Sequence, residues 1–231
     1  MYYSVMARPV NADPARTRTR LLEAASQHFS RSGVHGTSLR AVANSAGLSL
    51  ATINHHFGNK QDLYGACLDR AFDEVSRELA PLASLLDRFT DEVRDANVST
   101  AELRTLVESL VREGVRFGRR RRPLLQLIMR TLVETGELEE PWRERALVPF
   151  LETTSALLAA QLGRPVVELR MAIQAVIALG MRYSLSTPRE LARLAGLVAP
   201  DNNATPQQER AAVTLYEDHL VRVAQNLVLE S

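Results

Sequence analysis

Residues 38–57 read SLRAVANSAGLSLATINHHF, and this stretch decides the fold of the first quarter of the chain. Thr37 or Ser38 can cap a short helix, because a side-chain oxygen satisfies amides that a helix start leaves unpaired. Gly47 can end that helix in a tight turn, and Ser49 can cap the next helix. Two short helices joined by a glycine turn predict a helix-turn-helix over residues 38–57.

Apolar residues at helical spacing predict which side of each helix faces inward. They can form one small core with a preceding helix that Asp13 caps, that begins at Pro14 and that Gly33 ends. The predicted core positions are Leu22, Ala25, Phe29, Leu39, Val42, Ala43, Ala46, Leu48, Ile53 and Phe57. This packing leaves Leu50, Ala51, Thr52, Asn54 and His55 outward. A helix in the major groove needs small or hydrogen-bonding side chains on its exposed face, so we expect these five to face DNA.

The remainder of the chain is also predicted to be helical, which gives an all-α fold. No run of alternating apolar and polar residues is bounded by hairpin turns. We expect a fourth helix from about Lys60, and longer helices at 83–96, 100–118, 122–136, 141–162, 165–185 and 206–229. Prolines fall at the boundaries of these helices, at positions 81, 123, 141, 165, 188 and 206, and residues 198–205 form a polar loop. We therefore expect an N-terminal three-helix DNA-binding domain at 15–75 and a larger helical domain for ligand binding and dimerisation at 76–231.

Composition and motifs exclude several classes of protein. Cys67 is the single cysteine, so an internal disulfide framework and a cysteine-rich zinc site are excluded. No apolar stretch approaches the ~18–20 residues of a membrane span, and the first residues lack the apolar region of a signal peptide. His55 and His56 point about 100° apart on a helix and cannot easily share one metal ion. We expect a cytoplasmic protein that is not an enzyme, with no membrane segment, metal or cofactor, because phosphate-loop, dinucleotide and nucleophile-elbow motifs are missing.

Charge is distributed unevenly along the chain. Residues 1–60 carry seven basic and two acidic side chains, for a net charge of +5. The other residues carry 21 basic and 25 acidic side chains, for a net charge of −4. A basic N-terminal part followed by an acidic remainder indicates that the N-terminal part binds a polyanion, although chance clustering of charges would give the same count.

Residues 15–75, about a quarter of the chain, resemble the DNA-binding domain of the TetR family of bacterial regulators. The matching pattern is F-x-x-x-G-x-x-x-T-S-x-R-x-x-A-x-x-A-G from Phe29 to Gly47, followed by T-I-N-H-H-F-G-N-K-x-D-L from Thr52 to Leu63. Arg20, Leu22, Ala25 and Val42 match as well. The segment around Asn54 is similar to a subgroup of the family that reads N-[YH]-H-F-G-x-K.

The resemblance implies a homodimeric repressor that binds double-stranded DNA at a palindromic operator and is released by a small molecule. It also implies DNA-contacting residues. Thr37, Ser38 and Arg40 would touch phosphates, and His56 and Lys60 would bind the backbone. Lys60 would grip a phosphate together with the first amides of the fourth helix. Ser49, Leu50, Ala51, Thr52, Asn54 and His55 would complete the DNA-contacting set.

Asn54 departs from the residue most common in the family at this position, which is tyrosine. Asparagine is shorter than tyrosine, but its amide can pair with two atoms of adenine. We hypothesise that Asn54 reads a base. A contact to the DNA backbone, or a role at the helix end, remains the alternative.

The helices at about 165–185 and 206–229 are predicted to form the dimer interface. The first is apolar over much of its circumference, so it must be covered on two sides. Two such helices from each subunit would form a four-helix bundle, as is common in the family. A purely intramolecular core is the alternative.

A ligand pocket is predicted among the helices at 100–118, 122–136, 141–162 and 165–185. Its candidate wall residues are Leu110, Phe117, Leu127, Met129, Leu132, Trp142, Phe150, Leu157 and Met171. Arg130 and Arg182 interrupt apolar helices and would need an anionic partner, either an acidic side chain or a ligand carboxylate. An acidic and lipophilic effector is therefore a hypothesis, while ordinary core packing is the alternative for each apolar residue.

Two alternatives remain open at this stage. The run Arg119–Arg122 is interpreted as a solvated helix junction, although it could face DNA and add non-specific attraction. A helical sensor or interaction protein without sequence-specific DNA binding is the alternative for the whole chain.

Overall fold

A computed structural model describes residues 13–93, 99–137, 143–199 and 202–230, and no strand occurs among them. The all-α prediction is confirmed. The helices are α1 (Pro14–Gly36), α2 (Leu39–Ala46), α3 (Leu50–Phe57), α4 (Lys60–Val93), α5 (Thr100–Arg120), α6 (Arg122–Thr135), α7 (Val148–Leu162), α8 (Val166–Leu185), α9 (Pro188–Leu194) and α10 (Pro206–Leu229). A π-helical turn, Arg143–Leu147, leads into α7.

Capping and turn residues set the boundaries of the first helices. Asp13 Oδ1 accepts a hydrogen bond from the amide of Ala15 at 3.0 Å, beside Pro14 at the start of α1. Gly33, which was predicted to end α1, instead kinks it with a φ of 66°, a left-handed value that glycine adopts without a Cβ clash, and the helix continues to Gly36. Gly47 ends α2 in the left-handed region, and its amide bonds back to α2.

The N-terminal helices enclose one hydrophobic core. All ten core positions predicted from the sequence belong to it: eight are buried, while Leu39 and Leu48 are half-buried against it. The core also takes Leu127 and Ile128 from α6, a helix far along the chain. The DNA-binding domain is therefore packed directly onto the larger domain.

The prediction that Pro81 marks a helix boundary is wrong. Pro81 lies inside α4, which runs unbroken from Lys60 to Val93, so the predicted start of a new helix at residue 83 disappears. The proline ring is exposed, and the one backbone hydrogen bond that it removes faces water, which lowers the cost of continuing the helix. The predicted domain boundary at residue 75 falls within this long helix, so α4 serves both domains.

The larger domain has its own core, built by α5, α7, α8 and α10. The predicted bounds of α5, α6, α8 and α10 agree with the structure to within two residues. Part of the predicted helix at 141–162 is the π-helical turn, and its first two residues lie outside the described ranges. The short helix α9 was not predicted, because its seven residues carry too little periodicity; it buries Leu191 and Ala192 against Ala212 of α10.

Within the described ranges, no helix is both long enough and apolar enough to cross a membrane.

Candidate nucleic-acid interface and internal cavity

Helix α3 presents its polar face to solvent. The Ser49 hydroxyl accepts a hydrogen bond from the amide of Thr52 at 3.1 Å and fixes the start of the helix. Ile53 is fully buried below, whereas Asn54 and His55 are exposed above. Ala51 is also exposed, while Leu50 and Thr52 are half-buried. The outward orientation predicted for α3 is therefore complete for three of its five residues and partial for two.

The start of α2 lies beside this face. Ser38 and Arg40 are exposed, and Ser38 makes no side-chain capping bond, so both are available to a phosphate. Thr37 is different: it is only 4% exposed, and its hydroxyl donates to the carbonyl of Gly33 at 2.6 Å. The expectation that the Thr37 side chain touches a phosphate is wrong, because that hydroxyl holds the α1–α2 turn.

Lys60 begins α4 and reaches back to the start of α2. Its Nζ donates to the carbonyl of Thr37 at 3.1 Å, which leaves two of its three ammonium donors for a phosphate. The amides of Gln61 and Asp62 in the first turn of α4 are already bonded, since Asn59 Oδ1 accepts from Gln61 at 2.8 Å and from Asp62 at 3.0 Å. A joint grip on a phosphate by Lys60 and the first amides of α4 would therefore lack these two amides.

Two arginines of α1 hold the helix-turn-helix in place, a role that the sequence pattern did not indicate. An Nη of Arg20 donates to the carbonyl of Ala46 at 2.6 Å, at the end of α2. The guanidinium of Arg18 lies 5.1 Å from the centre of the Phe57 ring, a cation–π distance. These contacts join residues some 26 to 39 positions apart, which no local pattern could reveal.

The adjacent histidines of α3 stand edge to face, with ring centres 5.4 Å apart and planes at 74°. In the part of the chain that the structure describes, no three His, Cys, Asp or Glu side chains gather as a metal site would require.

A cavity of about 480 Å³ lies inside the larger domain. Helices α5, α6, α7, α8 and α10 form its walls, and Phe72 and Val75 of α4 reach it as well. Five of the predicted wall residues line it: Leu110, Phe117, Met129, Leu132 and Phe150. A volume of this size is typical of small-molecule sites, which are mostly apolar with a few polar groups.

The other predicted apolar wall residues lie elsewhere. Leu127 is fully buried in the N-terminal core, and Leu157 packs against Leu106 and Phe150 in a separate small cluster. Met171 is 66% exposed on the outer side of α8. Trp142 lies outside the described residues. Helical spacing identified the apolar stripes correctly but could not distinguish a cavity wall from a solid core or a protein surface.

The two arginines predicted to meet a ligand do not line the cavity. Arg130 bonds to Glu134 at 3.2 Å and to the carbonyl of Arg31 on α1. Arg182 is exposed and donates to the Ser186 hydroxyl within its own helix end. Each guanidinium has partners at the surface, so the argument for an acidic effector no longer holds.

The described polar residues on the cavity wall are Glu137, Arg143, Thr154 and Ser184, and none of them was predicted. Arg143 pairs with Glu144 at 3.2 Å. Ser184 donates to the carbonyl of Gly180 at 2.8 Å. Thr154 is the exception, since its buried hydroxyl has no hydrogen-bond partner among the described residues.

Helix α6 touches both the cavity and the N-terminal core. Ile128 belongs to that core and also lines the cavity. Near it, the hydroxyls of Tyr64 on α4 and Thr131 on α6 lie 2.6 Å apart. Burial raises the pKa of Tyr64, so its phenol stays protonated and can donate this bond. Helix α6 is therefore in contact with the cavity and with the N-terminal core at the same time.

The arginine run forms the junction between α5 and α6, as predicted. Arg121 pairs with Glu78 of α4 at 2.6 Å, and Arg120 lies 3.7 Å from the same carboxylate. Burial lowers the pKa of Arg119, which is half-covered. The run is thus held within the molecule by α4.

Known proteins match the N-terminal part of this chain by sequence and nearly the whole chain by fold. Residues 21–67 match the family model described as bacterial regulatory proteins, tetR family. The chain is 33% identical over 106 residues to the HTH-type transcriptional regulator UidR of Escherichia coli. That alignment covers 43% of this chain and 53% of UidR, so the match spans about half of each protein.

Solved structures show the same fold over nearly the whole chain. A TetR-like transcriptional regulator from Rhodococcus sp. RHA1 superposes with a TM-score of 0.61 at 20% identity, covering 95% of this chain and 97% of that one. AibR, solved in complex with isovaleryl coenzyme A and operator DNA, superposes with a TM-score of 0.55 at 14% identity, covering 93% and 98%. At these identities the likeness establishes the arrangement of helices.

Proposed function

We infer that this chain is a ligand-responsive transcriptional regulator of the TetR family, because residues 21–67 match the model of that family. In this proposal it is a homodimeric repressor that acts in the cytoplasm, binds a palindromic operator and is released by a small molecule. The observation that carries the proposal is one helix, α6, packed against both the DNA-binding core and an internal cavity.

The DNA contact is assigned to the exposed face of α3 and its surroundings. Asn54, His55 and Ala51 would enter the major groove, where small and amide side chains can meet base edges. Phosphate contacts would come from the remaining candidates, namely Ser38, Arg40, Ser49, Leu50, Thr52, His56 and Lys60. The subgroup suggested by the sequence around Asn54 is part of this proposal.

Dimerisation is assigned to the outer faces of α8 and α10. Val167 is 69% exposed and Met171 is 66% exposed, one helical turn apart on α8. Leu215 and Leu227 are exposed on α10. Large apolar side chains in such numbers on two neighbouring helices favour a second copy as their cover. A two-fold dimer would hold two α3 helices one DNA turn (~34 Å) or a multiple apart, which requires a palindromic operator.

Release by a ligand follows from differential affinity. A molecule in the cavity shifts the protein only as far as it prefers one arrangement of α6 and α4 over another. Because α6 carries residues of both the cavity wall and the N-terminal core, the two arrangements would differ in the spacing of the α3 helices.

The DNA-binding proposal is tested by gel shift with the DNA fragment upstream of this protein's own gene. We expect a discrete complex that survives excess unrelated DNA and weakens as salt rises. The double variant Arg40→Ala/Asn54→Ala serves as the matched control, because both side chains are exposed and their removal should leave the fold intact. If wild type and variant bind all fragments equally, the alternative applies and the chain is a helical sensor without sequence-specific DNA binding.

A further inference from the structure

The internal cavity is elongated. Its wall residues on α5 run from Val107 to Gly118, and those on α8 run from Ile173 to Ser184. Each range spans eleven residue steps, or about 16 Å at 1.5 Å per residue. An elongated ligand can therefore lie along these two walls.

Two charged side chains belong to the described wall. Glu137 follows α6, and Arg143 opens the π-helical turn before α7. Arg143 is engaged with Glu144 at 3.2 Å. The rest of the described wall is apolar apart from glycines and two hydroxyl groups, those of Thr154 and Ser184. An anionic group in that apolar part would be buried without a cation, which is strongly unfavourable.

Thr154 lies in the middle of the apolar part. On α7 the cavity wall consists of Phe150, Thr154 and Leu158, so Thr154 sits about 6 Å along the helix from each neighbour. It is 3% exposed, and its hydroxyl has no hydrogen-bond partner among the described residues. In a helix, a threonine hydroxyl ordinarily bonds to a backbone carbonyl of the preceding turn. Ser184 on the opposite wall does this, through the carbonyl of Gly180 at 2.8 Å.

An unpaired buried hydroxyl is unfavourable and is rare in folded proteins. Rotation about one side-chain bond can present the Thr154 hydroxyl to the cavity, where an oxygen atom of a ligand would satisfy it. The hydroxyl can donate to a carbonyl oxygen or exchange bonds with an alcohol.

We propose that the cavity takes a neutral, elongated apolar molecule with a ketone or hydroxyl oxygen part-way along its chain, and that Thr154 bonds to this oxygen. The proposal rests on the ligand-responsive function above and specifies the class of its effector. It replaces the acidic effector suggested by the sequence, because Arg130 and Arg182 lie outside the cavity.

The experiment measures displacement of Nile red, a neutral apolar dye, from the purified full-length protein. The competitors have matched chain length: dipentyl ketone, undecane and undecanoate. Transfer from water costs the ketone more than undecane, so the contribution of Thr154 is measured as the change in the ratio of ketone to undecane affinity when its hydroxyl is removed. Undecanoate should bind more weakly than the ketone at neutral pH, because its carboxylate must be desolvated.

The decisive variant is Thr154→Val, which removes the hydroxyl and keeps the shape of the side chain. Its affinity for the ketone relative to undecane should be about tenfold lower than that of wild type, while it binds undecane as tightly as wild type. The matched control is Thr105→Val, which removes a threonine hydroxyl outside the cavity that bonds to the carbonyl of Ala101 at 3.0 Å, and it should keep the wild-type ratio. Since Thr154→Val removes an unpaired group, the ligand-free variant should melt at or above the temperature of wild type, which shows that it folds.

Two outcomes would overturn the proposal: a ratio of ketone to undecane affinity that is the same in wild type and Thr154→Val, or tightest binding of undecanoate by wild type. Failure of the underlying function gives a different result. In that case Nile red would not enter the protein, or a tightly bound ketone would leave the gel-shift complex unchanged. If Nile red does not enter the protein, both proposals are overturned. If a tightly bound ketone leaves the gel-shift complex unchanged, the ligand class is supported but the ligand has no regulatory role.

Discussion

At the residue scale, Asn54 combines exposure with a short amide on the outer face of α3. If it pairs with adenine, Asn54→Ala should cost about 1–3 kcal/mol on the operator and almost nothing on an operator altered at that base pair. The measurement is the dissociation constant on the operator and on single-base variants of it, at one fixed salt concentration.

The control for Asn54 is Arg40→Ala, which removes an exposed cation beside the start of α2. A phosphate contact carries no base information, so this variant should weaken binding to all operator variants equally and should reduce the salt slope by about one. If Asn54→Ala behaves in the same uniform way, Asn54 contacts the backbone and does not read a base.

Cys67 is another residue whose surroundings set its chemistry. Burial raises the pKa of its thiol to about 11, so almost none of the reactive thiolate exists near neutral pH. A thiol reagent at pH ~8 should therefore modify the native protein roughly 100-fold more slowly than the urea-unfolded chain. The measurement is the rate of modification of the two states, and equal rates would contradict the burial of Cys67.

The sign of the Cys67 effect on stability follows from linkage. The pKa of Cys67 is higher in the folded than in the unfolded state, so its contribution to the free energy of unfolding is fully present at neutral pH. It is lost as pH rises from the unfolded pKa, ~8.5, toward about 11. The variant Cys67→Ala should show a smaller decline in unfolding free energy over that range.

At the element scale, α5 and α8 approach closely at Gly118. A Cβ placed there would lie 2.6 Å from the Ser184 hydroxyl oxygen and 2.7 Å from the Ser184 Cβ. Gly118→Ala should therefore destabilise the protein by about 1–3 kcal/mol through overpacking, although alanine is the better helix former. Urea unfolding monitored by circular dichroism provides the measurement.

Gly114, one turn earlier in α5, is the matched control, because a Cβ there would meet nothing within 4 Å. Gly114→Ala should stabilise the protein by up to about 1 kcal/mol, the intrinsic gain of alanine over glycine in a helix. If both variants are stabilised, α5 and α8 are not in close contact at Gly118.

At the scale of the whole molecule, the two domains are joined by α4 and α6. Tyr64 and Thr131 form a hydroxyl contact across this junction, and the Tyr64 ring packs edge-on against Phe29 at 5.1 Å. In a double-mutant cycle with Tyr64→Phe and Thr131→Val, we expect a coupling free energy of about 1 kcal/mol in urea unfolding. Additive effects of the two substitutions would show that this contact does not connect the domains energetically.

The dimer proposal also belongs to this scale. Met171→Asp places a charge on the exposed face of α8, which a monomer would tolerate but a dimer interface would not. We expect sedimentation to show wild type as a dimer at micromolar concentration and the variant as a folded monomer.

Val133→Asp is the control for the dimer, since Val133 is 79% exposed on α6, a helix outside the proposed interface. It should leave the oligomeric state unchanged. A wild-type monomer at physiological salt would contradict the proposal directly.

The sequence by itself determined the local structure of this protein. Asp13, Gly33, Gly47 and Ser49 act within a few residues of their own positions, so capping and turn chemistry predicted how the first helices begin, bend and end. The ten core positions of the N-terminal domain followed from helical spacing for the same reason. Pro81 was misjudged because its exposed position lowers the cost of a proline within a helix, and α9 was missed because its seven residues carry too little periodicity.

Only the tertiary structure decided which side chains share a site. The Thr37 hydroxyl bonds to the carbonyl of Gly33, and Arg20 bonds to the end of α2. Thr154 lines the cavity, whereas Met171 is exposed outside it. A helical pattern states which residues lie on one face, but it does not state what that face meets. The helix-turn-helix could therefore be identified from residues 38–57 alone, whereas the proposed effector class depends on the Thr154 hydroxyl, which has no partner among the described residues.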